Sequence, residues 1–195
     1  MALRVVTPPS GGLITLDQAK KQCRVDDDED DDDIADLILS ASAVVEGRTQ
    51  RRFLTQTLEW VRECWEGRMV LPVAGPTDCQ SVGIDTITYV DLEGDEQTLD
   101  PSIYWARPAG PTLAVVRRWF VIWPWLGDGA ERVVIRFTIT GELADVPFEA
   151  VHATKLLVSH WYANRDAVVG VDARDSSTEL PFGVEQLLTQ LRWDD

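Results

Sequence analysis

The chain has 195 residues, and its 33 acidic side chains against 18 basic ones give a formal charge of −15. That length buries a substantial core in one or two domains, and that charge excludes broad attraction to nucleic-acid phosphates or to anionic membrane surfaces. Hydrophobic residues at 45% and charged residues at 26% are ordinary globular usage, which excludes disorder over the whole chain.

Residues 1–12 contain one Arg, no apolar run, and Pro8, Pro9, Gly11 and Gly12, which predicts an extended arm and not a secretory leader. Thr15 followed by Gln18 is a capping-box pattern that opens a short helix through about Cys23, with Leu16 and Ala19 on one face. An unbroken acidic run follows: Asp26, Asp27, Asp28, Glu29, Asp30, Asp31, Asp32 and Asp33. Ile34, Leu37, Ile38, Ala41 and Val45 then recur at three- and four-residue spacing and predict a second, longer helix. It ends in a basic turn at Arg48, Arg51 and Arg52, where cations complement the partial negative charge of the last carbonyls.

From about residue 56 the period changes from 3.6 to 2. Thr57–Cys64 and Ile84–Asp91 read as strands rich in β-branched and aromatic residues. Arg132–Thr140 alternates most cleanly, with Val133, Ile135, Phe137 and Ile139 facing one way. Shorter candidates at Gln97–Leu99, Ile103–Trp105 and Leu113–Arg117 are punctuated by Pro101, Pro108, Gly110 and Pro111. Residues 56–141 therefore predict an antiparallel β-sandwich or barrel-like insertion. The longest apolar stretch, Trp119–Leu126, contains Pro124 and falls far short of the roughly 20 residues of a membrane-spanning helix.

Helical periodicity returns in Val146–Ala167, where Pro147 sits near the first helical position and Glu149 in the first turn. A polar loop, Val169–Glu179, precedes an amphipathic end segment with Val184, Leu187, Leu188 and Leu191 at helical spacing. The fold class is α+β: a bundle of two N-terminal and two C-terminal helices, interrupted by the β insertion. Its parts are 1–55 (arm and first helices), 56–141 (β insertion) and 142–195 (closing helices).

Few residues suggest chemistry. Cys23, Cys64 and Cys79 form no CxxC pair and have no histidine close in sequence, so neither zinc nor a disulfide framework is indicated. The acidic run lacks the turn glycine and spaced bidentate Glu of a calcium loop. It reads as a solvated, docking or DNA-repelling surface whose last carboxylates favour the start of the second helix. His152 and His160 are two turns apart with no third ligand, and Asp91 with Glu93 is the kind of acidic pair that chance supplies here. No nucleophile-elbow, phosphate-loop, zincin or dinucleotide motif occurs, so neither a catalytic residue nor a cofactor is assigned. Trp119, Trp123 and Trp125, clustered with Phe120 and Pro124, predict core or subunit-interface packing ahead of a base-stacking platform, because Arg117 and Arg118 alone make a thin basic groove.

Three patches together resemble the head–tail connector (adaptor) family of tailed bacteriophages and gene transfer agents, in the subgroup with a β insertion. The first is Ile14-Thr15-Leu16-Asp17-Gln18-Ala19-Lys20, then Ile34 to Ser42, Val45-Glu46-Gly47-Arg48-Thr49 and Arg52-Phe53-Leu54-Thr55-Gln56-Thr57. The second is Leu71-Pro72 and Val82 to Val90 with Asp91, Gly94 and Gln97; the third is Val146-Pro147, His160-Trp161-Tyr162-Ala163-Asn164-Arg165 and Leu180-Pro181-Phe182-Gly183-Val184 with Leu187-Leu188. The acidic run and the Trp119–Trp125 segment depart from the family pattern.

The resemblance implies a structural virion protein without catalysis or cofactor, made in the host bacterial cytoplasm and placed in the neck of the particle. It implies a homo-oligomeric ring of about twelve copies under the portal protein. The ring extends the channel through which genomic DNA passes without specific binding, meets a stopper or tail-completion protein, and touches no membrane. Portal docking falls on Leu180, Pro181, Leu187, Leu188, Leu191 and Trp193, an apolar stripe for a groove, unless that stripe packs on its own bundle. Subunit contacts fall on Arg48, Arg51 and Arg52 against a neighbour's acidic residues, and on Trp161, Asn164 and Arg165. The alternatives from other classes are an acidic protein-interaction module with no virion role and an unrecognised hydrolase.

Overall fold

The computed structural model describes residues 2–129, 131–164 and 182–193. The chain forms two compact units, one drawn from the residues up to Ser10 and Arg52–Asp145, the other from Gly11–Arg51 and the segment that begins at Val146. The helices predicted from the sequence build the second unit and the strands the first.

Among the described residues the β unit has eight strands: β1 Ala2–Thr7, β2 Gln56–Arg62, β3 Arg68–Val70, β4 Val82–Val90, β5 Glu96–Thr98, β6 Tyr104–Ala109, β7 Thr112–Arg117 and β8 Val133–Ile139. They form two open sheets, in the orders β1-β2-β8-β4-β5 and β3-β7-β6, and every pairing is antiparallel. Leu58 stands opposite Phe137, and Trp60 opposite Ile135. These side chains share one core with Met69 and Val115 of the smaller sheet, so the sandwich form of the expectation is the one realised. The alternation of Val133, Ile135, Phe137 and Ile139 is reproduced with all four fully buried. Where the chain leaves β8, Gly141 approaches the backbone so closely that a Cβ there would lie 2.1 Å from the Phe53 carbonyl oxygen. The Thr55 hydroxyl binds the Gly141 backbone on both sides, accepting from its N–H at 3.1 Å and donating to its carbonyl at 3.0 Å.

Three features of this unit differ from the sequence expectation. The N-terminal arm, grouped above with the helices, is an edge strand antiparallel to β2. All but one of its residues are exposed and Leu3 alone packs toward the core, so it carries no alternating signal. Strand β3, three residues long, is too short for one. The candidate Ile103–Trp105 divides into a 3-10 turn at Pro101–Ile103, capped by the Asp100 carboxylate accepting from Ser102 N–H at 2.8 Å, and β6, which continues through Pro108. Proline is tolerated there because β6 is an edge strand.

Among the described residues the α unit has four helices: α1 Leu16–Cys23, α2 Asp31–Thr49, α3 Phe148–Ala163 and α4 Phe182–Leu191. The capping box is present, with Thr15 Oγ1 accepting from Gln18 N–H at 3.3 Å and the Gln18 side chain accepting from Thr15 N–H at 3.2 Å. Arg24 then closes α1 in the left-handed conformation at φ 60°. Helix α2 buries Ile34, Ile38, Ala41 and Val45, the predicted stripe, and starts three residues earlier than that stripe because Asp31, Asp32 and Asp33 form its first turn. It ends at Thr49, so Arg51 and Arg52 lie beyond it. Helix α3 buries Ala150, Ala153, Thr154, Leu157 and Val158 and packs against α1, α2 and α4. The expected extension of α3 to Ala167 and the loop Val169–Glu179 lie outside the described residues.

Candidate interaction surfaces

The acidic run occupies the turn between α1 and α2 and the first turn of α2. Lys20 Nζ bridges Asp28 at 2.6 Å and Asp31 at 2.7 Å. The hydrogen bond that Lys20 donates to Asp28, then that to Asp31, raises the lysine above its ordinary range, and the contact with Lys20 lowers Asp28. Asp30 accepts from the Tyr162 hydroxyl at 2.6 Å, tying the run to the end of α3. Asp26, Asp27 and Glu29 are exposed and form no ion pair among the described residues. No cluster of potential metal ligands exists among the described residues.

The apolar stripe expected to dock a partner divides. Leu188 is 2% exposed and Val184 fully buried, both within the helical bundle, so Leu188 is withdrawn from the docking set: its own bundle occupies it. Leu187, Leu191 and Trp193 remain partly exposed. The chain end is also anchored, with Trp193 N–H donating to the Thr49 carbonyl at 3.0 Å and Arg51 Nε to the Leu191 carbonyl at 2.7 Å. Burial pushes the Arg51 pKa down. Arg48 reaches Glu185 of α4 at 4.0 Å. Two cations assigned to a neighbour's acids are therefore engaged inside the chain, because α4 brings its own acceptors to the end of α2. Arg52 gives its backbone N–H to the Ala74 carbonyl at 2.8 Å within the β unit. Trp161 is half-buried, and Asn164 closes α3 by donating to the His160 carbonyl from its side chain at 2.7 Å. Leu180, Pro181 and Arg165 lie outside the described residues.

The tryptophan-rich segment is mostly turned outward, which corrects the core half of its expectation. Trp123 alone is anchored: it stacks on Trp65 at 4.7 Å and donates to the Glu66 carbonyl at 3.0 Å, while Trp65 donates to the Pro124 carbonyl at 3.0 Å. Trp119, Phe120, Ile122 and Trp125 are 76–106% exposed, and Phe120 holds a left-handed backbone at φ 63°. Beside this loop a recess of about 310 Å³ is lined by Trp105, Arg107, Arg117, Arg118, Trp119 and Phe120, among others. The Arg107 guanidinium lies 4.4 Å from the Trp105 ring centre and that of Arg118 5.5 Å, contacts in which cations meet the negative face of the ring. Arg118 Nε also donates to the Tyr104 carbonyl at 3.1 Å, and Arg117 donates to the Val121 carbonyl. Sequence reading missed Trp105 and Arg107 because the β6–β7 hairpin brings them to Arg118.

Comparison with known proteins separates two scales of likeness. Residues 13–76 match the family model of the phage gp6-like head–tail connector protein. The matched segment runs from before α1 through the acidic run and α2 into the β unit, so the resemblance read from the sequence is borne out there. The whole chain is similar in fold to solved chains of gene transfer agent particles. A chain from the neck of an empty gene transfer agent particle computed with C6 symmetry is 20% identical, with a TM-score of 0.76, covering 100% of this chain and 97% of that one. A chain from the virion of a native gene transfer agent particle is 21% identical (TM-score 0.74), and one from a native neck computed with C12 symmetry is 23% identical (TM-score 0.69), each with the same coverage. At these identities the likeness carries the fold. No curated protein sequence matches.

Proposed function

We propose that this chain is a structural head–tail connector, located in the neck of a tailed particle and not catalytic. The observation that carries this reading is the agreement of the two scales: a connector family model over residues 13–76 and a fold shared along 97–100% of both chains with a chain of a gene transfer agent neck. A ring of about twelve copies is consistent with the twelvefold symmetry computed for one such neck. Within that ring the portal protein is met on one side, through Leu187, Leu191 and Trp193, and a stopper or tail-completion protein on the other. The net charge of −15 per copy repels the genome's phosphates overall, so DNA slides through instead of binding.

Immunogold electron microscopy with an antibody against this chain tests the reading on tailed particles. Label at the junction of head and tail is the expected result. Particles without label, with the protein free in the cytosol, refute it and leave the acidic interaction module as the better account.

A further inference from the structure

We propose that the arginine–tryptophan recess of the β unit binds the Asp26–Asp33 segment of a second copy of this chain. This rests on the neck reading only in expecting the contact to close into a ring. The pairing itself is argued from charges that each copy leaves without opposite partners.

On a chain of net charge −15, three guanidiniums converge at one recess, those of Arg107, Arg117 and Arg118. None of them forms an ion pair among the described residues. Asp100, whose carboxyl is held low chiefly by the Ser102 backbone N–H, also feels the Arg118 charge. By contrast Arg4, Lys20, Arg48, Arg62 and Arg136 each have a carboxylate partner within their own copy. Trp105 packs against Arg107 and Arg118, so these forks are partly oriented before any partner arrives, and less side-chain entropy is lost on binding. Exposed Trp119 and Phe120 rim the recess, and a partner seated on them would exclude water from it, the arrangement that makes arginine and aromatic residues dominate interfaces. The left-handed backbone of Phe120 is strained in an L-residue. A fully exposed phenylalanine gains nothing in the isolated chain to offset that strain.

The complementary segment also carries acids without an ion pair among the described residues. Asp26, Asp27 and Glu29 are exposed, precede the first turn of α2, and have no cation among the described residues. Lys20 and Tyr162 hold Asp28, Asp31 and Asp30 from behind, so the segment is presented on a fixed turn. Since the recess and the run are different patches, each copy offers one of each, and a rotation that closes the repeat gives a ring.

The test uses the full chain and two charge-reversed forms in sedimentation velocity. One form carries Arg107→Glu with Arg118→Glu; the other carries Asp26→Lys, Asp27→Lys and Glu29→Lys. Wild type is expected to associate at about 50 mM salt and to weaken at least about tenfold at about 500 mM, where screening shortens the reach of charge. Each reversed form alone sets like charge against like and stays monomeric. Mixed together they associate again, because each recess then meets a run of opposite sign. Arg107→Glu alone breaks no hydrogen bond and weakens association without affecting the fold. A monomeric wild type at low salt, reversed forms that associate as well as wild type, or a mixture that does not recover would overturn the proposal. So would single-stranded oligonucleotide binding that disappears with Arg107→Glu and Arg118→Glu, since the recess would then take phosphates. Recovery in the mixture without neck label on particles sinks the neck reading alone, and neck label without recovery sinks this one alone.

Discussion

Replacing Leu188 by alanine separates a helix that completes its own bundle from a helix held in reserve for a partner. Leu188 is 2% exposed on α4, beside fully buried Val184. Removing its three outer carbons forfeits about 2.4 kcal/mol of transfer free energy at about 0.8 kcal/mol per carbon. The cavity left between α4 and its neighbours brings the loss to about 3 kcal/mol. For a helical unit of this size, melting on its own, that lowers its midpoint by about 12–24 °C. The assay is circular dichroism at the helical band, followed beside tryptophan fluorescence. Six of the eight tryptophans, Trp60, Trp65, Trp105, Trp119, Trp123 and Trp125, belong to the β unit, and Trp161 and Trp193 to the helical one, so the emission follows chiefly the β unit. The helical midpoint should fall and the fluorescence midpoint should move less. Leu187→Ala, at a partly exposed position, is expected to cost under about 1 kcal/mol. A helical midpoint unchanged by Leu188→Ala would refute the packing of α4 and return the whole stripe to partner docking.

Phe120→Gly relieves the left-handed backbone at φ 63° and should stabilise the β unit by about 1 kcal/mol, seen as a higher urea midpoint in fluorescence; a lower midpoint would show that the ring packs on the chain. Gly141→Ala forces a Cβ to 2.1 Å from the Phe53 carbonyl oxygen and should cost about 1–3 kcal/mol, whereas an unshifted midpoint would mean that the approach relaxes freely. Asp91 is held below the usual carboxylate range first by the Gln97 side chain, then by backbone N–H groups of its turn. Its contribution is therefore complete above the ordinary value of about 4 and is lost as pH falls through the lowered one. Urea midpoints of wild type and Asp91→Asn should accordingly differ at neutral pH and converge at strongly acidic pH, and a gap that persists there contradicts the turn's hydrogen bonds.

What could be read before the structure was local. Thr15 and Gln18 cap each other within one turn, and the alternation through Val133–Ile139 follows from the two-residue repeat of a strand, so both were legible from neighbours in sequence. Strand β1 was hidden because an edge strand with Leu3 as its one inward side chain has no alternation to detect. Helical spacing placed Val184, Leu187, Leu188 and Leu191 on one stripe, but the choice of Val184 and Leu188 as its buried centre depends on where the rest of the bundle lies. The recess was the least legible feature. Trp105 faces Val116 across the β6–β7 hairpin, and only that register carries Arg107 and the residues after β7 to one place. The tryptophan segment stands out in the sequence, but apolar character alone does not distinguish a core from a surface awaiting a partner, and only the structure turns Trp119 and Trp125 outward.

The order in which the chain is made has a consequence for how it folds. The main sheet joins Ala2–Thr7 to Gln56–Arg62, and β8, which lies between β2 and β4, is the last of its strands to be synthesised. The helical bundle opens with α1 and α2 and is completed by Val184 and Leu188 of α4. Both units are thus sewn together from distant segments, so neither can close until its last segment has been made. They must also finish in sequence, sheet first and bundle second. A nascent chain halted after Asp145 would own every strand yet hold out the apolar sides of Ile34, Ile38 and Val45 with no α3 to cover them, a species that chaperones or proteases would be expected to claim.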